Sequence, residues 1–383
     1  MDHLDVPAPA GAAPLPHPVT SPLAAFGWTP EREAAFADHR AAGHVPGRVV
    51  LTAGLTRAQT ADGPVEVVLQ RRFRHEVRTA ADLPAVGDWL ALEPLATSGT
   101  GTAQAAARAV LHRSSAFSRG ESTGGDHIAE QVVAANVDTV LLVSALTHDL
   151  NPRRIERYLL LAYASGAAPV LVLNKADLAA DLLGSLAAVG AVAGGVPIHP
   201  VSAVTGEGLA GLGSYLAQGR TVCLLGSSGV GKSTLANALL GETRQLVRAE
   251  RSDDSRGRHT TTARELFPLP GGALLIDTPG LRSVGLWDDA GSLDSAFDDV
   301  ARLAAECRFS DCRHEGEPGC AVRAAIADGE LAEERLESHR KLERELRSRE
   351  LREDVAAARA ESRRWGRMAR AGSERAAHKR GER

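Results

Sequence analysis

"GSSGVGKST", residues 226–234, and "NKAD", residues 174–177, decide how the whole chain is read. The first satisfies G-x-x-x-x-G-K-[ST] from Gly226 through Gly231, Lys232 and Ser233. It stands between an apolar run, "RTVCLLG", and the helix-like "KSTLANALLG". A strand–loop–helix of this kind cradles phosphates, because backbone N–H groups and a helix N-terminus converge on the anion. Gly226, Ser227, Ser228, Gly229, Val230, Gly231, Lys232, Ser233 and Thr234 are therefore the expected phosphate contacts. Lys232 is expected to reach the terminal phosphates, and the Ser233 hydroxyl to bind Mg²⁺. The second motif, Asn174, Lys175, Ala176 and Asp177, ends the apolar run "PVLVL". The Asp177 carboxylate can accept two hydrogen bonds from guanine, at the ring N–H and the amino group, a pair adenine does not offer. Asn174 is expected to bond near the base and brace the phosphate loop, with the Lys175 stem over the ring plane. "VSA", 201–203, follows about one strand–helix unit later, and Ser202 and the Ala203 N–H complete the base site.

"DTPG", 277–280, ends another apolar strand. Asp277 is expected to hold Mg²⁺ through a water, and the Gly280 N–H to face the γ-phosphate. The parts of a GTPase are thus present in the order base reader, "VSA", phosphate loop, "DTPG". The ordinary order has the phosphate loop first. Motifs on separate strands of one sheet survive joining of the old ends and cutting elsewhere. The sequence predicts a circular permutation. The loop after Asp277 then leads directly into the C-terminal region, where a phosphate-dependent switch can move it.

The polar stretch "RSDDSRGRHTTTAREL" precedes "DTPG". One of Thr260, Thr261 or Thr262 is expected to complete the Mg²⁺ shell, Thr261 first among them. His259 is either the group that orients the attacking water or an exposed loop histidine. Leu281 stands where a water-orienting glutamine would follow "DTPG". Slow intrinsic hydrolysis, completed by a partner, is the expectation.

"CRFSDCRHEGEPGC" spaces Cys307, Cys312, His314 and Cys320 by four, one and five residues. Three thiolates and one imidazole suit one structural Zn²⁺, with no position left open for chemistry. Cys223, in "TVCLLG", reads as an inert strand residue. Of the 44 basic residues only four are lysine, and two of those, Lys175 and Lys232, fall inside the nucleotide motifs. An arginine fork does not replace a compact ammonium there.

The remaining chain sorts into segments. Residues 1–45 are Ala/Pro-rich and read as a disordered extension, with a short helix at "TPEREAAFADHRAAG". Short β-rich runs over 46–115 predict a small OB-type barrel. Arg71, Arg72 and Arg74 around Phe73 read either as a basic face carrying an aromatic or as a solvated strand end. Residues 116–290 alternate strands and helices, the pattern of a doubly wound α/β domain. Residues 291–383 are helical and charged around the cysteine cluster. The leucine stripe at 331, 336, 342, 346 and 351 is thin and predicts a surface or partner-binding helix, not a core one. The fold class is therefore multidomain: barrel, permuted α/β P-loop domain, helical zinc-binding domain. From Ala360 onward eight Arg/Lys face three Glu, a basic tail that either touches phosphate backbones or is a frayed terminus. The overall charge of -4 selects neither nucleic acid nor membrane. No basic-plus-apolar leader and no ~20-residue apolar run is present, so a cytoplasmic protein without a membrane partner is expected.

Taken together, "LPAVGDWLAL", "AANVDTVLLVSAL", "NKADL", "GSSGVGKSTLANALLG", "GRHTTTAREL", "IDTPGLRS" and the Cys/Cys/His/Cys spacing resemble the RsgA (YjeQ) family of circularly permuted GTPases. The resemblance spans about residues 46–330. It implies an OB barrel, a permuted GTPase domain and a zinc-binding domain. It also implies action late in small ribosomal subunit maturation, with GTP hydrolysis to GDP stimulated by that subunit. By this resemblance His259 carries the catalytic role, and the barrel and basic tail become candidate rRNA contacts. The chain is expected to be a monomer. Two other readings compete: an ATP-dependent P-loop kinase, disfavoured by "NKAD" and "VSA", and an RNA-binding adaptor with a structural nucleotide, disfavoured by the Lys232, Ser233 and Asp277 set.

Overall fold

The computed structural model describes residues 22–77, 79–95, 103–122, 128–147, 150–241, 264–277 and 290–348. His259, Thr260, Thr261, Thr262, Gly280, Leu281 and the basic tail lie outside them.

Chain order begins with a 3-10 turn, Pro22–Phe26, and two short helices, α1 (Pro30–Ala35) and α2 (Ala37–Ala41). The expected disorder of residues 1–45 is therefore wrong from residue 22 on. Leu23, Trp28 and Phe36 are buried against Trp89 and Ala91, which anchors the segment on the barrel. The Ala/Pro bias of the first residues hid these few apolar anchors.

Strands β1 (Val45–Thr52), β2 (Thr56–Thr60), β3 (Gly63–Val68), β4 (Trp89–Pro94) and β5 (Gln104–Val110) run in the order β1-β2-β3-β5-β4, and β4 returns to β1 to close a barrel. β3 and β5 pair in parallel and the other neighbours antiparallel. Closure removes free strand edges. Residues Arg71–Glu76 form helix α3 rather than a strand end. Phe73 is 5% exposed and packs among Val49, Ala58, Leu90 and Leu92. It is a core side chain, so the reading of Phe73 as an exposed aromatic on a basic face is corrected.

A hairpin, β6 (Ala116–Ser122) and β7 (Ile128–Ala135), leads into the α/β layer. There β8 (Thr139–Ala145), α4 (Pro152–Ser165), β9 (Ala168–Asn174), α5 (Leu182–Gly190), β10 (Ile198–Pro200), β11 (Thr221–Leu225), α6 (Lys232–Leu240), β12 (Arg264–Pro268) and β13 (Leu274–Asp277) follow. Strand order is β10-β9-β8-β11-β13-β12. Only β12 runs antiparallel to its α/β neighbour. The chain moves outward from β8 to β10, then returns to β11 beside β8. That reversal creates the crevice in which α/β sheets bind ligands.

The barrel and the α/β layer share one sheet, because β1 pairs with β12 at Leu51↔Glu265 and Thr52↔Arg264. Arg48, 2% exposed, fixes this junction. Its guanidinium donates to Thr221 Oγ1 at 2.8 Å, to the Asn136 carbonyl at 3.1 Å and to the Phe26 carbonyl. Burial, with Arg32 adding repulsion, lowers its pKa to about 9, which leaves it charged at neutral pH.

Helices α7 (Ala290–Ala296) and α8 (Asp298–Ala305) precede the cysteine cluster in the chain, and α9 (Ala321–Ala327) follows it. A further helix, α10, covers 333–348. Leu331, Leu336, Leu342 and Leu346 are buried in the main core with Phe297 and Val322. The expectation of a surface helix is corrected, and Leu351 lies outside the described residues. Among the described residues no helix is long and apolar enough to cross a membrane.

Candidate nucleotide and metal sites

β11 is buried along most of its length and delivers the loop 226–231 at its carboxyl end. Two glycines are required there. A Cβ on Gly226 would lie 2.2 Å from the Val143 carbonyl oxygen. Gly231 has φ +92°, and its Cβ would meet Asn174 Nδ2 at 2.2 Å. α6 then starts at Lys232. The Lys232 ammonium donates to the Gly226 carbonyl at 2.7 Å and to that of Ser227. Ser233 and Thr234 are exposed on the first turn.

β9 delivers Asn174, which is 2% exposed. Its Nδ2 donates to the Val230 carbonyl at 2.9 Å, and its Oδ1 accepts the Ala203 N–H at 3.0 Å. One amide thus joins the phosphate loop, the "NKAD" loop and the "VSA" loop. Lys175 takes φ +63° and its Nζ donates to the Gly229 carbonyl at 2.8 Å. The Ala176 N–H donates to Val201, fixing the two base loops to each other. Ser202 is fully buried and Asp177 is exposed. Asp277 ends β13, the strand beside β11, and is half-buried. Ser233 and Asp277 offer hard oxygen donors, the kind Mg²⁺ takes.

Two contacts to this loop were not anticipated. Arg154 Nη1 donates to Ser227 Oγ at 3.0 Å, and the Tyr158 hydroxyl lies 3.1 Å from the same oxygen. Both come from α4. Their i, i+4 spacing in "NPRRIERY" was visible, but nothing local pointed them at the loop.

Cys307, Cys312, His314 and Cys320 bring their donor atoms within 4.8 Å of one another. Cys307 Sγ lies 3.9 Å from Cys320 Sγ, and His314 Nδ1 lies 3.6 Å and 3.4 Å from those sulfurs. A tetrahedral ion with metal–sulfur bonds of about 2.3 Å needs S···S edges of about 3.8 Å. The donor set fits such an ion. Burial, helped by Arg340, lowers the His314 pKa and favours the neutral imidazole a metal requires. Glu317 was missed by the sequence reading. Its carboxylate accepts the N–H groups of Arg313 at 2.9 Å and Glu315 at 2.8 Å, on either side of His314. Cys223 is different: it is fully buried in β11, and burial alone pushes its thiol pKa up.

Comparison with known proteins agrees with this geometry. The family model "RsgA GTPase" matches residues 110–287. "Small ribosomal subunit biogenesis GTPase RsgA" of Opitutus terrae is 49% identical over 350 residues, 90% of this chain and 95% of the relative. The protein of the same name from Streptomyces coelicolor is 47% identical, covering 86% of this chain and 88% of the relative. The crystal structure of YjeQ from Thermotoga maritima superposes with a TM-score of 0.59 at 29% identity, over 79% of this chain and 98% of that one. The fold is also that of YloQ, a circularly permuted GTPase, with a TM-score of 0.56 at 22% identity over 80% of this chain and 96% of that one. Motif order, strand order and likeness converge, and the chain belongs to the RsgA family of small ribosomal subunit biogenesis GTPases.

Proposed function

We propose that this chain hydrolyses GTP in response to the small ribosomal subunit, late in that subunit's maturation. The observation that carries the reading is the Asn174 amide, which ties the base loop to the phosphate loop through Val230. A guanine reader and a phosphate cradle so joined bind one nucleotide, GTP or GDP. Asp177 would accept the guanine N–H pair, and Lys175 would cover the ring. The loop 226–234 would hold the phosphates. Ser233 and Asp277 would hold Mg²⁺, which neutralises charge developing on the β- and γ-phosphate oxygens. Water attacks the γ-phosphorus, the bond to the β–γ bridging oxygen breaks, and GDP and phosphate leave. His259 is proposed to orient that water, and Thr261 to complete the Mg²⁺ shell. Leu281 in place of a glutamine supports slow turnover until the subunit completes the site.

The tetrad Cys307, Cys312, His314 and Cys320 is proposed to bind one structural Zn²⁺, on the strength of its S₃N donor set. The barrel and the basic tail are the proposed rRNA contacts. A cytoplasmic monomer fits this role.

The deciding experiment is GTP turnover by the full chain, alone and with purified small subunits. A large rise with subunits is expected. An unchanged rate would overturn the ribosome-triggered reading.

A further inference from the structure

α4 presents two working faces. Arg154 and Tyr158 stand at i and i+4 and share one of them. Arg153, Glu156 and Arg157 lie on an adjoining face toward α10, where they meet Glu337, Arg335 and Glu345 respectively. The Arg154 backbone is itself fixed, since its N–H donates to the capping Asn151 Oδ1 at 3.3 Å. Ser227 is therefore held from two sides. Its hydroxyl meets Arg154 and Tyr158 of α4, and its carbonyl accepts from Lys232.

The motif G-x-x-x-x-G-K-[ST] asks for nothing particular at the second position. A small hydroxyl there, bonded to a cation from a neighbouring helix, is a feature of this chain beyond the motif. Its physical effect follows from the loop's composition. Residues 226–231 include three glycines, and a glycine loop loses much backbone freedom when its N–H groups converge on an anion. Anchoring Ser227 to a helix that is capped at its start and packed on α10 lowers that loss by preorganising the loop.

We propose that Arg154 and Tyr158 are positioning residues for the phosphate loop, acting through the Ser227 hydroxyl to preorganise the cradle for the nucleotide phosphates. The inference rests on reading 226–234 as that cradle. Removing the anchor raises KM and weakens binding, while kcat at saturating GTP changes little.

The test measures affinity for a fluorescent GDP, KM and kcat with small subunits, and the nucleotide-free melting temperature. Arg154→Ala is expected to weaken binding about tenfold, the range of one charge-assisted hydrogen bond. Melting should be unchanged, with kcat within about twofold. Arg154→Lys, which keeps a donor for Ser227, should recover most of the loss, and it keeps the test open if the alanine variant does not fold. Ser227→Ala, which also removes the Tyr158 contact, should weaken binding at least as much as Arg154→Ala, and the double variant should be no weaker than Ser227→Ala. Additive losses would mean that Arg154 acts elsewhere, for example directly on phosphate, and would overturn the proposal. Unchanged binding in Arg154→Ala would overturn it too. Lys232→Ala separates the layers: if it leaves GDP binding intact, the cradle reading itself fails. If it abolishes binding while Arg154→Ala does nothing, only this inference fails.

Discussion

Asn174 and Val230 lie 56 positions apart and are joined by a 2.9 Å hydrogen bond inside the core. The same side chain holds the Ala203 N–H. Asn174→Ala therefore strips partners from two backbone groups in a buried region. The expected cost is about 1–3 kcal/mol of stability per stranded group, together with a loss of nucleotide affinity. Asp177→Asn makes a useful contrast. Asp177 is exposed, so melting should not move. Preference should instead shift from guanine to xanthine nucleotides, read by competition binding. If ATP competes equally with GTP at the unaltered site, the base-reading assignment is wrong.

Arg335 and Glu156 form a buried ion pair at 2.8 Å, with side chains 4% and 2% exposed. Arg335 also meets Asp299 and the Ala296 carbonyl, and lies over the Phe297 ring. Truncating Arg335 leaves the buried Glu156 carboxylate without its counter-charge. Arg335→Met should cost roughly 3–5 kcal/mol in denaturant unfolding. Combining it with Glu156→Leu should recover a large part of that loss, because the remaining carboxylate, Asp299, is partly exposed and no fully buried charge is left. A double variant as unstable as the sum of the singles would show that the pair does not work as a unit.

The parts that were legible in the sequence were those with local chemistry. The glycine spacing around Lys232, the carboxamide and carboxylate of "NKAD", and the cysteine spacing each mark a candidate site within a few residues. Burial that depends on distant segments was not legible. The stripe from Leu331 to Leu346 looked too thin for a core, yet Phe297 and Val322 complete it from other helices. Phe73 looked like a surface aromatic among arginines because β3 gives way to a helix that turns it into the barrel. Trp28 and Phe36 lay in a segment whose average composition signals disorder, although two aromatics against Trp89 suffice to dock it. Arg154 could not be connected with Ser227 without knowing that α4 passes the phosphate loop.

The metal assignment predicts one zinc per chain by elemental analysis, lost in Cys312→Ser. Chelation should lower the melting temperature by several degrees, because Cys320 caps the start of α9 and Val322 and Ala325 of that helix are in the core. Glu317→Ala should weaken metal retention without removing a ligand, since its carboxylate fixes the N–H groups flanking His314. A melting curve indifferent to chelator but shifted by reductant would point to a disulfide instead.

The internal order of the N-terminal segment, and with it the seating of Trp28, should depend on pH through Glu33. Its carboxylate accepts from Arg40 Nε at 2.7 Å and Trp28 Nε1 at 2.7 Å. The Arg40 hydrogen bond is the main cause holding its pKa below the usual carboxylate value, with Trp28 adding to it. A carboxylate with a depressed folded pKa favours the ordered segment at pH values above its ordinary range. That contribution declines as the pH falls through the ordinary range toward the depressed value. Tryptophan fluorescence should therefore report loosening of Trp28 from Trp89 on acidification from pH 6 to pH 3. Glu33→Gln should loosen the segment already at pH 6 and flatten the part of the transition that Glu33 causes. A transition identical in both proteins would mean that another carboxylate governs that order.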